Sequence, residues 1–209
     1  MSSGFCLAFR RPGAYLGSMS PRLQSSGYLV GQMLIAMPQM RDPRFARTVV
    51  YVCAHSAEGA MGLVVNRPFE ALTFTDLLEQ MEIAVTPVCA SVRIHFGGPV
   101  ESGRGFVLHS NDYFAESTLV VDDQVALTAT VDVLRAISDG SGPHRSLLAL
   151  GYAGWSAGQL DQEILENVWL NVPSDPDLLF GTDLERKWER AIAKLGIDFG
   201  MLSVEAGHA

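Results

Sequence analysis

The sequence predicts a mixed α/β (α+β) fold, a single domain with strands and helices interleaved along the chain. Three observations predict it. From residue 28 onward short apolar runs alternate with amphipathic stretches. No internal repeat or interdomain linker interrupts them, and 48% hydrophobic against 18% charged residues is the composition of an ordinary core-forming chain. At 209 residues such a chain buries roughly 70% of the surface that its unfolded form exposes, enough for a core without staples. No apolar run reaches the roughly 18 to 20 residues that span a bilayer, so a soluble chain away from any membrane is expected, and its few scattered cysteines make a reducing cytoplasm the expected setting.

Residues 1–27 are rich in Ser, Gly and Arg and contain no acid, which predicts a disordered N-terminal tail ahead of a domain over 28–209. An organellar transit peptide, or a true start nearer Met19 or Met33, are alternatives for this segment. Strands are expected at 32–37, 47–54, 61–66, 92–96, 105–109, 119–121, 146–150 and 168–172. Helices are expected at 74–81, 131–138, 157–166 and 183–195, the last stopping at Gly196.

Cys6, Cys53 and Cys89 are too few and too scattered for a disulfide framework, and none forms a C-x-x-C pair, so metal knuckles and dithiol chemistry lack support. Charge narrows the function further. The chain carries 15 basic and 23 acidic residues for a net −8, and Arg10, Arg11 and Arg22 all precede the first acid. The body is therefore more acidic than the whole, with dispersed arginines and no basic helix, a charge balance that argues against direct nucleic-acid binding.

Gly154-Trp155-Ser156-Ala157-Gly158 spells the G-x-S-x-G pattern of a serine-hydrolase elbow. The downstream histidine that such a site requires is lacking, since only His208, next to the terminus, follows. Ser156 followed by Gln159 instead fits a capping box at a helix start, and Thr182 with Glu185 repeats the device. Gly151, Gly154 and Gly158 then read as turn glycines ahead of that helix, with an anion site at its N-terminus as the lesser alternative.

Other candidates are single pairs. His55 and Glu58, in a turn between two strands, could act as an acid/base pair or as two metal ligands, but no third ligand stands at a recognisable spacing, so no metal is assigned. Arg67 could clamp an anion or pair with an acid. His95 and His109 read as structural histidines in strands. The Gly97-Gly98-Pro99 and Gly103-Arg104-Gly105 segments read as hairpin-like turn chemistry between two strands.

Together, "LIAMPQMRDPRFARTVVYVCAHSAEGAMGLVVNRP", "FGGPV", "GFVLH" and "GYAGWSAGQLDQEILENVWL" resemble the bacterial YqgE/AlgH family over about residues 28–196. The resemblance implies a single α/β domain around a bent, mixed β-sheet flanked by helices. Its members carry the label of unknown function or of transcriptional regulator, and it supplies no reaction, cofactor or catalytic residue. The family pattern includes here His55, Gly62, Asn66, Gly97, Gly98, Pro99, His109, Gly151, Tyr152, Trp155, Gly158, Gln159, Leu160 and Glu163, and does not demand a serine at 156. This chain departs from it mainly in its N-terminal extension.

Two functions remain in view. The first is a cytosolic, non-enzymatic regulator acting through a protein partner or a small ligand, with no cofactor. The second is an enzyme, hydrolase-like, whose pocket gathers His55, Glu58, Arg67, His109 and the Gly-rich Tyr152–Trp155 loop, and the candidate ligand-binding residues are His55, Glu58, Asn66, Arg67, His109, Tyr152, Trp155 and Gln159.

Overall fold

The structure is a computed structural model and describes residues 28–196. The tail expected at 1–27 lies outside the described residues. The strands are β1 (Gln32–Ala36), β2 (Val49–Ser56), β3 (Gly59–Val64), β4 (Ile94–Phe96), β5 (Val100–Ser110), β6 (Leu119–Val120), β7 (Val125–Thr128), β8 (Ser146–Ser156) and β9 (Trp169–Pro173). The helices are α1 (Phe74–Gln80), α2 (Val131–Asp139), α3 (Gln159–Leu165), α4 (Pro176–Leu179) and α5 (Leu184–Ala193), with a 3-10 turn at Pro87–Ser91.

All the strands join one sheet in the order β6-β7-β5-β8-β3-β2-β1-β9, antiparallel throughout this path, while β4 pairs parallel with β8. The mixed sheet expected from the family resemblance is thus present. Its strands read as nearly continuous apolar runs because both faces are covered. In β2, Val49, Tyr51 and Cys53 point into one cluster inside the curl of the sheet, and Val50 and Val52 into another outside it. The inner cluster is closed by Leu178, Leu179, Trp188, Ala191 and Ile192 of α4 and α5. On the outer face α1 and α2 cover the β5-β8 half, and Leu160 of α3 covers the β3-β2-β1 half. Tyr51 donates its hydroxyl to Asp122 at 2.7 Å, joining the middle of β2 to the β6–β7 turn across the curl.

The strand β8 carries the bend. Leu147 and Ala149 face inward and Leu148 and Leu150 outward, but beyond Gly151 the outward residues are Ala153 and Trp155, so the alternation slips by one. Gly151 absorbs the slip at φ +72°, a conformation that costs other residues about 1 kcal/mol or more. This corrects the strand expected at 146–150 and the turn expected at Gly151 and Gly154. Both glycines lie within a strand that runs on to Ser156 and pairs Ala153 with Gly62 and Ser156 with Gly59.

The hairpin expected around Gly97-Gly98-Pro99 is also corrected. The strands β4 and β5 lie on opposite edges of β8, so the link between them crosses over β8 at its bend. Gly97 donates its N–H to the Leu150 carbonyl and accepts from the Val64 N–H, both at 2.8 Å. A Cβ on Gly97 would fall 2.2 Å from the Gly151 oxygen, and one on Gly98 would fall 2.1 Å from the Tyr152 carbonyl carbon. The crossing is backbone against backbone, which is what glycine permits. The Gly103–Gly105 stretch is a register shift inside β5 rather than a turn.

Candidate functional site

The residues singled out around α3 form a network that docks this helix on the sheet. Glu163 accepts from the indole N–H of Trp155 at 2.9 Å and of Trp169 at 2.7 Å, and its other oxygen accepts from the Gln159 amide at 2.8 Å. Gln159 Oε1 in turn accepts from the Ser156 N–H and hydroxyl, each at 3.0 Å. The expected capping box is therefore only half present. The helix begins at Gln159 behind Gly158, in a left-handed conformation, and the Ser156 hydroxyl donates to a side chain instead of accepting from the helix. The device expected at Thr182 and Glu185 moves by one residue, because Asp183 caps α5 by accepting from the Arg186 N–H. A complete capping box stands at Thr73 and Asp76.

The remaining candidates sit in three separate places. His55 is buried at the end of β2, accepts from the Leu29 N–H at 3.1 Å, and has Asp161, not Glu58, 3.6 Å from its other nitrogen. Glu58 is exposed in the turn. Gly62 leaves room beside Val50 and the Trp155 ring, and Tyr152 packs edge-on against Phe106. Asn66 extends the β2–β3 ladder, accepting from the Val49 N–H and donating to the Arg47 carbonyl. Arg67 donates to the carbonyls of Pro43 and Ala46 and lines a shallow hollow with Arg44, Glu70 and Phe96. His109 is fully buried in β5, donating from Nδ1 to the Ser110 carbonyl and accepting at Nε2 from the Thr128 hydroxyl, and burial lowers its proton affinity. His109 pairs with Ser146 and His55 lies in the row that reaches Trp155, so nine residues of β8, about 30 Å of strand, separate them.

A further concavity lies elsewhere. A cleft of about 570 Å³ opens where the 3-10 turn, the end of α2, the start of β8 and the α4–α5 link meet. Val88, Ile137, Leu147, Phe180 and Leu184 give it apolar walls. Arg93, His95, Arg145, Ser146, Asp177 and Thr182 bring polar groups to it. Arg145 is paired with Asp177 at 2.7 Å. His95, 7% exposed, donates from Nδ1 to the Leu148 carbonyl at 3.1 Å, and burial pushes its proton affinity down to about 4. At neutral pH it is a neutral imidazole.

Behind this wall stands a residue that the sequence reading passed over. Lys187 of α5 is 1% exposed and donates to the carbonyls of Val65 at 3.0 Å and Leu179 at 2.7 Å. Burial, helped by the Arg190 charge, pushes its pKa down to about 8. The signal was in the helix period. Leu184, Trp188, Ala191 and Ile192 make the apolar face of α5, and position 187, three past 184 and four before 191, falls on that face.

Ser110, Asp112 and His144 meet at the rim, yet in the wrong order for a nucleophile. The serine donates to Asp112 at 2.5 Å and the histidine contacts the same carboxylate at 2.7 Å, so no base faces the hydroxyl. Among the described residues no group of three or more His, Cys, Asp or Glu side chains could hold a metal ion. Cys53 and Cys89 are free and buried. No described helix is long and apolar enough to cross a membrane.

Comparison with known proteins gives a consistent result. The family model described as AlgH-like matches residues 33–200. A UPF0301 protein of Rhodospirillum rubrum is 60% identical over 183 residues, covering 88% of this chain and 95% of that protein. One from Rhodopseudomonas palustris is 54% identical over 207 residues, covering 95% and 94% respectively. The solution structure of the AlgH protein from Pseudomonas aeruginosa, 44% identical, matches with a TM-score of 0.73 over 90% of this chain and all of that one. A crystal structure from Corynebacterium diphtheriae, 18% identical with a TM-score of 0.63 over 83% of this chain and 91% of that one, shares the fold.

Proposed function

On the premise that the chain belongs to the AlgH-like family, whose name carries no reaction, we propose that it is a non-enzymatic regulatory protein of the cytoplasm that binds a small ligand and acts through a protein partner. The observation that carries this reading is the cleft of about 570 Å³, within the size range of small-molecule sites, with polar groups converging on apolar walls. The chemistry around it supports binding over catalysis, because the serine–carboxylate–histidine cluster at its rim is wired through the carboxylate. In this reading His55, Asn66, His109, Trp155, Gln159 and Glu163 hold strands and α3 together, since each is committed to neighbouring groups. Glu58, Arg67 and Tyr152 lie outside the cleft as well. A route through a protein partner rather than DNA follows from the acidic charge of the chain.

The test is a thermal-shift screen against metabolites and nucleotides, run in parallel on the wild type and Thr182→Trp. Thr182 is exposed at the cleft mouth, so an indole there blocks entry without disturbing the core. A ligand at a hundred times its Kd stabilises by about 2.7 kcal/mol, which raises Tm by roughly 5 to 10 °C for a domain of this size. The shift is expected in the wild type and lost in the variant. Hits that stabilise both proteins equally would place their binding outside the cleft.

A further inference from the structure

The cleft reverses the sign of the chain around it. Of its described lining residues Asp177 is the only carboxylate, and Arg145 already holds it. Arg93, exposed at the mouth, has no ion pair with a carboxylate among the described residues. Behind the wall Lys187 is held by two carbonyls rather than by an acid, so its charge is left unneutralised at close range. Arg93 and Lys187 both bear electrostatically on His95. A protein of net charge −8 thus surrounds one cleft with cationic groups.

The hydrogen-bonding pattern adds a second requirement. His95 has one proton on its ring when neutral, and Nδ1 uses it toward the Leu148 carbonyl. Its Nε2 then carries a lone pair, on a ring that lines the cleft. The site then offers a planar guanidinium that matches a carboxylate in two parallel hydrogen bonds, an acceptor for a ligand O–H or N–H, and apolar walls at Ile137, Leu147 and Phe180.

Resting on the reading of this cleft as a ligand site, we propose that its ligand is a small organic monocarboxylate bearing a hydroxyl or N–H donor on an apolar body. Arg93 binds the carboxylate and His95 accepts from the donor. The positive field of Lys187, unneutralised behind the wall, favours the anion over its neutral analogue.

The test follows backbone amide shifts of the full isotope-labelled chain on titration with 4-hydroxybenzoate, 4-hydroxybenzamide and inorganic phosphate. The acid is expected to give saturating shifts at residues 93, 95 and 146. The neutral amide should bind at least tenfold more weakly. Arg93→Gln, at an exposed position, should weaken the acid at least tenfold while Arg93→Lys restores part of it, with both variants keeping the wild-type spectrum elsewhere. Equal binding of acid and amide in the cleft would overturn the anionic class but leave the ligand site standing. Phosphate competing as well as the acid would overturn the organic part. Absence of saturable shifts at those three residues with every probe, at concentrations suited to weak fragments, would overturn this proposal and the cleft reading together.

Discussion

A lysine sealed inside a protein without an acid is a liability at neutral pH and a benefit at alkaline pH. Lys187 falls from 10.5 in the open chain to about 8 in the fold, chiefly through burial. A base with a depressed folded value favours the neutral form in the native state, so its contribution to stability is complete above 10.5 and is lost as pH falls through 8. The difference corresponds to about 3 kcal/mol. Ionisation of buried Cys53 and Tyr51, whose values burial raises, works in the opposite direction at high pH, so the test is a difference. The unfolding free energy of wild type minus that of Lys187→Met, measured in urea, should rise by about 3 kcal/mol between pH 8 and 10.5. Parallel pH curves for the two proteins would show that the amine is not held in this way. The residue was legible in principle from its place on the apolar face of α5, but an acidic chain with so few lysines invites attention to its charge total rather than to one position. The cleft was not legible, since its walls come from segments near 90, 140 and 180 that no local pattern joins.

At the scale of elements, the strands with unbroken alternation were readable and the bent one was not. Expected and observed limits of β1, β2, β3 and β9 differ by two residues or fewer. The strand β8 looked half its length because the parity of its apolar residues flips at Gly151, and a period-2 signal stops where its phase does. The strand β7 and helix α4 are four residues each, shorter than a pattern can establish, and α4 starts at a proline. The turn expected at Gly151 and Gly154 failed for the same local reason. Gly151 serves the strand bend, Gly154 lets the Tyr152 ring lie over it, and Gly158 starts α3 in a left-handed conformation. Two glycine replacements separate a need for left-handed backbone from a need for close approach. Gly158→Ala, at φ +71° with open space around it, should cost about 1 kcal/mol. Gly98→Ala sets a methyl against the Tyr152 backbone, 2.1 Å from its carbonyl carbon, and should destabilise by more than about 3 kcal/mol, among the largest single-site effects. Thermal melts that rank the two variants the other way would show that the crossing can relax.

Taken whole, the molecule is one sheet shared by three cores. Each long strand feeds two clusters, with β2 and β1 joining the inner core to the α3 side and β8 reaching all three through its bend. No cluster can lose its packing while its neighbours keep theirs, so we expect residues 28–196 to unfold as a unit. Far-UV circular dichroism and tryptophan fluorescence should trace coincident urea transitions, the latter reporting Trp155, Trp169 and Trp188 on both sides of the sheet. Separated midpoints would divide the chain into independent parts.

The crossing at Gly97–Pro99 also sets an order of events. The strands β4 and β5 are neighbours in sequence, yet the slot between them is filled by β8, which is made some forty residues later. A chain growing from a ribosome therefore carries an open gap in the middle of its sheet, with the edges of β3, β4 and β5 unpaired, until Ser146–Ser156 has emerged and slid beneath the link. Premature termination before that point leaves not a smaller version of the protein but two half-sheets held by a loop, with exposed edges open to pairing with other chains.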